Sequence, residues 1–295
     1  MRKAIIEVGS TCTKFDEFDG ENIKRLEVAT IQFKKNYKIN NCLDENDVKT
    51  LIEKVKYYAS NINDVYVCGT SVFRTLEENE KTEFLDRFKN ETGYDFNIID
   101  QDKENELTVK GATRFTKGKV AVFIGGGGST EIAIYNDSIK EMVNSKIGVI
   151  DVMNEYNDLA EDIAKTDIEV VKKYVKERLN LPKEKADILI LSGGGHELFA
   201  RESGVTYEKN TLYKDKVSPI MMDIEARRRD SRKYYEKISL DEIRARVDDP
   251  NWWYATRAMC AFVLVVAEAI DAKYIVPTDI SMVYGIIDEL NNKGE

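Results

Sequence analysis

Histidine is almost missing from this chain. The 295 residues contain one, His196. No Ser/His/Asp arrangement can be built on it, and a lone histidine is more often structural than catalytic. Cysteine is sparse as well. Cys12, Cys42, Cys68 and Cys260 are scattered with no C-x-x-C pair, which argues against a thiolate zinc site and for a reducing compartment. Long apolar runs without charge are absent. The run 252–270 carries Arg257 and Glu268, so it reads as a buried core helix and not as a membrane span. The N-terminus passes from Met1-Arg2-Lys3 into Ala4-Ile5-Ile6 and then Glu7, too short for the apolar region of a signal peptide. The expected location is the cytoplasm. A basic excess is missing too. Lys and Arg number 44 against 53 Asp and Glu, for a net charge of -9. Such a chain is not expected to bind nucleic acid across its surface, and any polyanion has to be met in a locally basic groove.

What is present describes an ordinary globular chain, 42% hydrophobic and 33% charged, long enough for two modest domains. Strand patterns are expected at 3–8, 13–18 and 25–33, with Asp19-Gly20 as a hairpin turn. Val48, Leu51, Ile52 and Val55 recur at helical spacing and predict a helix over 45–58. A strand at 64–68, a helix at 81–92 closed by Gly93, a strand at 96–99 and a helix at 102–115 follow. A second strand set then opens at 120–124, 131–135 and 139–143, with Asn136-Asp137 as its turn. Helices are expected at 152–160 and 168–179, a strand at 188–191, and a mostly helical last third. Strands alternating with helices mean an α/β fold. Gly9-Ser10-Thr11 and Gly128-Ser129-Thr130 both join hairpin strands, more than a hundred residues apart. The spacing suits a duplicated α/β domain and not a solenoid.

The sharpest chemical signal is Gly125-Gly126-Gly127-Gly128-Ser129-Thr130-Glu131. Glycine lets backbone approach a ligand, and successive amides make an anion-binding nest. Ser129 and Thr130 add hydroxyls, and Glu131 adds a carboxylate suited to a divalent cation facing phosphates. No Lys follows the last glycine, so this is not a Walker A loop. Gly9, Ser10 and Thr11 would form the partner loop. Arg74 follows the strand at 64–68, and a strand end is where open α/β sheets place ligands. Asp100, Asp102, Glu104 and Glu106 cluster at a helix start. That is ordinary capping, or one of them is a general base for water, and spacing alone does not choose. Gly193-Gly194-Gly195 before His196 offers a second backbone cradle. Arg227, Arg228, Arg229, Arg232 and Lys233, with Tyr234 and Tyr235, form the densest basic cluster, read either as a solvated helix face or as a wall of a polyanion groove.

At these residues the chain resembles the exopolyphosphatase/guanosine pentaphosphate phosphatase family of the actin, hexokinase and heat-shock-chaperone superfamily. Glu7-Val8-Gly9-Ser10 is similar to the family's Asp-x-Gly-Ser loop, and Thr70 to Arg74 to its Thr-Ser-Ala-x-Arg segment. Gly126 to Glu131 matches its second phosphate loop, and Ser145 to Gly148 its following Leu-Gly turn. The resemblance implies two ribonuclease-H-like (actin-like) domains, at 1–122 and 123–295, with an interdomain cleft. It implies removal of terminal phosphate from inorganic polyphosphate or a guanosine polyphosphate, with Mg²⁺ or Mn²⁺, and by analogy a homodimer. Glu104 falls on the catalytic glutamate and Arg74 on the charge-neutralising arginine. Gly9, Ser10, Thr11, Gly127, Gly128, Ser129, Thr130, Gly194 and Gly195 fall on the substrate loops, and Glu7 and Glu131 on metal-binding positions. Two departures stand out. The first-loop Asp is Glu7, and the second-loop Asp is replaced by Ile124 or Phe123. The alternative is a sensor of the same fold that binds polyphosphate or nucleotide and turns over little.

Overall fold

The computed structural model describes residues 2–10, 12–62, 64–114, 116, 118–193, 195–202, 208–209, 220–245 and 255–292. The chain divides into two compact units, Met1–Thr108 with Met282–Glu295, and Val109–Ser281.

The first unit is built on β1 (Lys3–Val8), β2 (Cys12–Phe18) and β3 (Ile23–Thr30), which form an antiparallel meander. Asp19 sets the β2–β3 turn by accepting from the amides of Glu21 and Asn22. The expected third strand ran to 33, because Ile31 and Phe33 continue its alternation. Instead the backbone leaves the sheet at Thr30 and Phe33 opens α1 (Phe33–Asn40). Burial decides this: the Phe33 ring packs edge-on against Phe73 at 5.0 Å. Helix α2 (Glu45–Ala59) starts where Asp44 caps the amides of Asn46 and Asp47, and it buries Val48, Leu51, Ile52 and Val55. Strand β4 (Asp64–Gly69) then lies parallel to β1, and Ser71–Thr75 makes one 3₁₀ turn. Helix α3 (Glu78–Thr92) ends on Gly93, left-handed at φ 82°. Strand β5 (Phe96–Ile98) completes the sheet in the order β3-β2-β1-β4-β5. One face buries Ile6, Val8, Phe15 and Val67 under α2 and the Phe73, Phe84, Phe88, Phe96 ring cluster. At Gly69 a Cβ would sit 2.4 Å from the Phe96 ring, so only glycine lets β4 end there.

Helix α4 (Gln101–Thr113) runs across the boundary of the two units. The second unit repeats the first plan. Strands β6 (Val120–Gly125), β7 (Thr130–Tyr135) and β8 (Ile139–Ser145) form the meander. Helix α5 (Val149–Glu155) begins earlier than its periodicity predicts and breaks at Tyr156 into a 3₁₀ turn, Asn157–Ala160. Helix α6 (Ile168–Lys176), β9 (Ile188–Ser192) and α7 (His196–Glu202) follow, then β10 (Glu208–Lys209), β11 (Ile220–Asp223), α8 (Ile224–Arg232) and α9 (Leu240–Arg244). The core helix α10 (Thr256–Ala269) precedes β12 (Tyr274–Pro277). The sheet order is β10-β11-β12-β9-β6-β7-β8. Its last five strands repeat the 3-2-1-4-5 order of the first sheet, which is the structural form of the suspected duplication. Strands β11 and β12 fall in the third of the chain expected to be mostly helical. Each is four residues long, too short to show alternation beside the long apolar helix α10.

The C-terminal helix α11 (Met282–Asn292) belongs to the first unit, where Met282, Val283, Ile286 and Ile287 cover Ile5, Cys68 and Leu107 on the other sheet face. Gly285 makes this close, because a Cβ there would lie 2.1 Å from the Leu107 carbonyl oxygen on α4. No helix among the described residues is long and apolar enough to cross a membrane.

Candidate active site

In the first unit, β1 and β4 end side by side, and the Thr70 amide donates to the Val8 carbonyl at 3.1 Å. The Gly9-Ser10 turn therefore lies against the turn that carries Arg74. The Ser10 hydroxyl donates to the Ser71 hydroxyl, and Ser71 holds an unusual positive φ of 52° to meet it. The Gly9 amide closes its own turn on the Cys12 carbonyl at 2.9 Å, so it is not a free anion donor. Thr11 lies outside the described residues.

Arg74 donates to the Ile99 carbonyl at 3.1 Å, to Gln101 Oε1 at 2.7 Å and to Glu104 Oε2 at 2.6 Å. Of the acidic residues at 100–106, Glu104 is thus the one the fold ties to Arg74. Burial raises the pKa of its carboxyl. Arg74 pulls it back down, Glu7 adds to the rise and Lys14 opposes it. Those four charges share one field.

Glu7 stands directly opposite Lys14 across β1 and β2, and opposite Cys68 across β1 and β4. Its Oε1 takes the Lys14 ammonium at 2.7 Å, while Oε2 is buried with no hydrogen-bond partner among the described residues. Burial works to lower the Lys14 pKa, but Glu7 and Cys12 together outweigh it and the ammonium ends above its ordinary value. Asp16, on the same face of β2, is buried and paired with Arg25. Motif reading missed Lys14, Asp16 and Arg25. The signal was there as polar residues at every second position of β2, Cys12, Lys14 and Asp16, where one sheet face is core. An orphaned carboxylate oxygen suits a hard divalent ion, so Glu7 fits a metal-binding position, though with one oxygen already engaged.

In the second unit the glycine turn joins β6 to β7. The Gly126 amide donates to the Ser129 carbonyl at 2.9 Å. The Gly126 and Gly127 carbonyls accept from the amides of Val149 at 3.1 Å and Ile150 at 2.9 Å, at the start of α5. The exposed amides of Gly127 and Gly128 have no partner among the described residues. The turn is therefore a fixed backbone loop with outward donors. Gly148 allows it, since a Cβ there would lie 2.3 Å from the Gly127 carbonyl carbon. Thr130 is buried and spends its hydroxyl proton on the Ile147 carbonyl at 2.8 Å. Glu131 is buried on β7, opposite Ile124. Of the two residues that could stand at the carboxylate position of the resembled motif, Phe123 is core and Ile124 is only partly buried.

A cavity of about 270 Å³ in this unit is lined by Gly126, Gly127, Gly195, His196, Phe199 and Arg227. The two glycine segments singled out in the sequence thus border one space. Gly194 lies outside the described residues. His196 is 4% exposed, and burial followed by Arg227 lowers its pKa to about 3, so it is a neutral core residue near pH 7. Arg227 is 1% exposed beside Phe199 and Asp230, which corrects the reading of that member of the basic cluster as a solvated helix face; it lines the cavity instead. Arg257 is buried and caps the carbonyls of Leu159, Glu161, Asp162 and Ile238.

Two α/β units of one plan, each with a glycine turn at the head of its meander, and an Arg–Glu pair at a strand end are the marks of a phosphate-handling α/β protein. The chain belongs to the Ppx/GppA phosphatase family, whose model matches residues 22–246. No curated protein matches it. A Ppx/GppA family member from Aquifex aeolicus superposes with a TM-score of 0.77 at 18% identity, over 100% of this chain and 99% of its own. An exopolyphosphatase from Cytophaga hutchinsonii gives 0.75 at 17% identity, over 99% and 98%. Nucleoside triphosphate hydrolases from Neospora caninum give 0.60 at 10% identity, over 100% and 93%. These similarities carry the fold.

Proposed function

We propose that this chain hydrolyses the terminal phosphoanhydride bond of inorganic polyphosphate or a guanosine polyphosphate. The observation that carries this reading is the Arg74–Glu104 contact at a strand end, with a carboxyl whose pKa burial raises. Glu104 takes a proton from the attacking water as its oxygen bonds to the terminal phosphorus. The bridging P–O bond breaks, releasing orthophosphate and a chain one phosphate shorter. Arg74 offsets charge that builds on the transferring group. In the first unit the Ser10 turn, and in the second the amides of Gly127 and Gly128, are the donors suited to phosphate oxygens. Glu7, through its unpartnered Oε2, is the residue of the first unit that would hold Mg²⁺ or Mn²⁺, and in the second unit the family resemblance assigns a metal-binding position to Glu131. Bound there, the ion would draw charge from the phosphate oxygens.

A second reading, a polyphosphate or nucleotide sensor, is favoured by an apolar residue, Ile124 or Phe123, at a carboxylate position. Phosphate release from polyphosphate and from guanosine pentaphosphate, with Mg²⁺ or Mn²⁺, decides between them. Release that Glu104→Gln removes supports the hydrolase. Tight binding without release would leave the sensor.

A further inference from the structure

Glu7 and Lys14 are neighbours in register on β1 and β2, with ammonium and carboxylate 2.7 Å apart. Both side chains are largely withdrawn from water, Glu7 at 14% exposure and Lys14 at 24%. On the same face of β2 Asp16 gives Oδ1 to Arg25, and the ion pair that Lys14 makes is with Glu7. A divalent ion approaching Glu7 therefore meets a carboxylate that is already neutralised, with a positive charge fixed one hydrogen bond away. Solvent and salt screen that repulsion poorly in a half-buried setting. The other carboxylates in the same field, Asp16 and Glu104, are each paired with an arginine, Arg25 and Arg74. Among the described residues no three His, Cys, Asp or Glu groups gather for a metal. Phosphate oxygens are different. They bring negative charge that balances Lys14, and ligands that complete an octahedral shell.

We propose that Lys14 keeps the phosphate-free protein from holding a divalent ion, so that the ion reaches Glu7 only as its complex with the substrate's phosphate oxygens. Lys14 is then a positioning residue for Glu7, and the order of assembly is set by one ion pair. The inference rests on the metal-assisted phosphoanhydride reading above.

The test is a Mn²⁺ titration of the full chain, followed by water-proton relaxation, first without phosphate and then with a methylene-bridged triphosphate. Wild type is expected to bind Mn²⁺ at least about tenfold more weakly than Lys14→Met when phosphate is absent. Lys14→Arg should stay as weak as wild type, and Glu7→Gln added to Lys14→Met should erase the gain. The bridged triphosphate should confer Mn²⁺ binding on wild type. Phosphate-free wild type that holds Mn²⁺ as tightly as Lys14→Met overturns the proposal. If Lys14→Met does not fold, wild type against Glu7→Gln decides: equal weak binding supports it, and binding that Glu7→Gln abolishes overturns it. Absence of phosphate release from every polyphosphate would remove the functional reading while leaving these binding outcomes standing.

Discussion

Arg74 and Glu104 are thirty residues apart in sequence and 2.6 Å apart in the fold, joined where the turn after β4 meets the first turn of α4. The same guanidinium holds Gln101 and the Ile99 carbonyl, so the glutamate is presented by a braced arginine.

Glu104→Gln keeps the shape and removes the proposed base. Phosphate release is expected to fall by at least about a hundredfold, with substrate affinity close to wild type. Single-turnover assays beside equilibrium binding check it. Unchanged turnover would assign the water's proton to another group.

Arg74→Met acts on the pH profile as well as the rate. Burial raises the Glu104 pKa and Arg74 lowers it. Without the guanidinium the carboxyl protonates at higher pH, and the base is needed deprotonated. The acid limb of kcat/KM should move to higher pH, with Arg74→Lys between mutant and wild type. A limb that stays in place would separate Arg74 from the titrating group.

Gly148→Ala places a Cβ where the Gly127 carbonyl group lies, at 2.3 Å. The glycine turn has to shift, at a cost of about 1–3 kcal/mol. The melting temperature should drop and KM for polyphosphate should rise, because the Gly127 and Gly128 amides are displaced together. A variant with wild-type KM would place phosphate binding elsewhere.

His196 makes acid stability a clean measurement, since it is the only histidine. Its folded pKa is lowered from 6.5 to about 3, by burial and then by Arg227. Between those values the unfolded chain binds a proton that the folded one refuses. Its contribution is therefore fully present above pH 6.5 and is lost as pH falls toward 3. His196→Gln should flatten the fall of unfolding free energy by up to about 1.4 kcal/mol per pH unit in that window. Denaturant titrations at pH 7, 5 and 4 read it, and parallel slopes for both proteins would show His196 to be protonated in the fold.

Much of the architecture is legible in the residues themselves. The alternation of Lys3–Val8, the 3.6-residue spacing from Val48 to Val55, and Gly93 after α3 are local patterns, and local backbone preferences satisfy them directly. The two Gly-Ser-Thr segments mark the duplication, and Gly126 to Glu131 carries the family resemblance. Tertiary structure decided what local pattern leaves open. It selected Glu104 from several carboxylates, set Lys14 on Glu7, turned the Thr130 hydroxyl inward and buried Arg227 in place of exposing it. It also drew short β12 into a sheet centre and Phe33 into a helix. The physical reason is common to all of these. A charge or a ring is placed by the partner that repays its desolvation, and that partner usually comes from a strand or helix elsewhere along the chain.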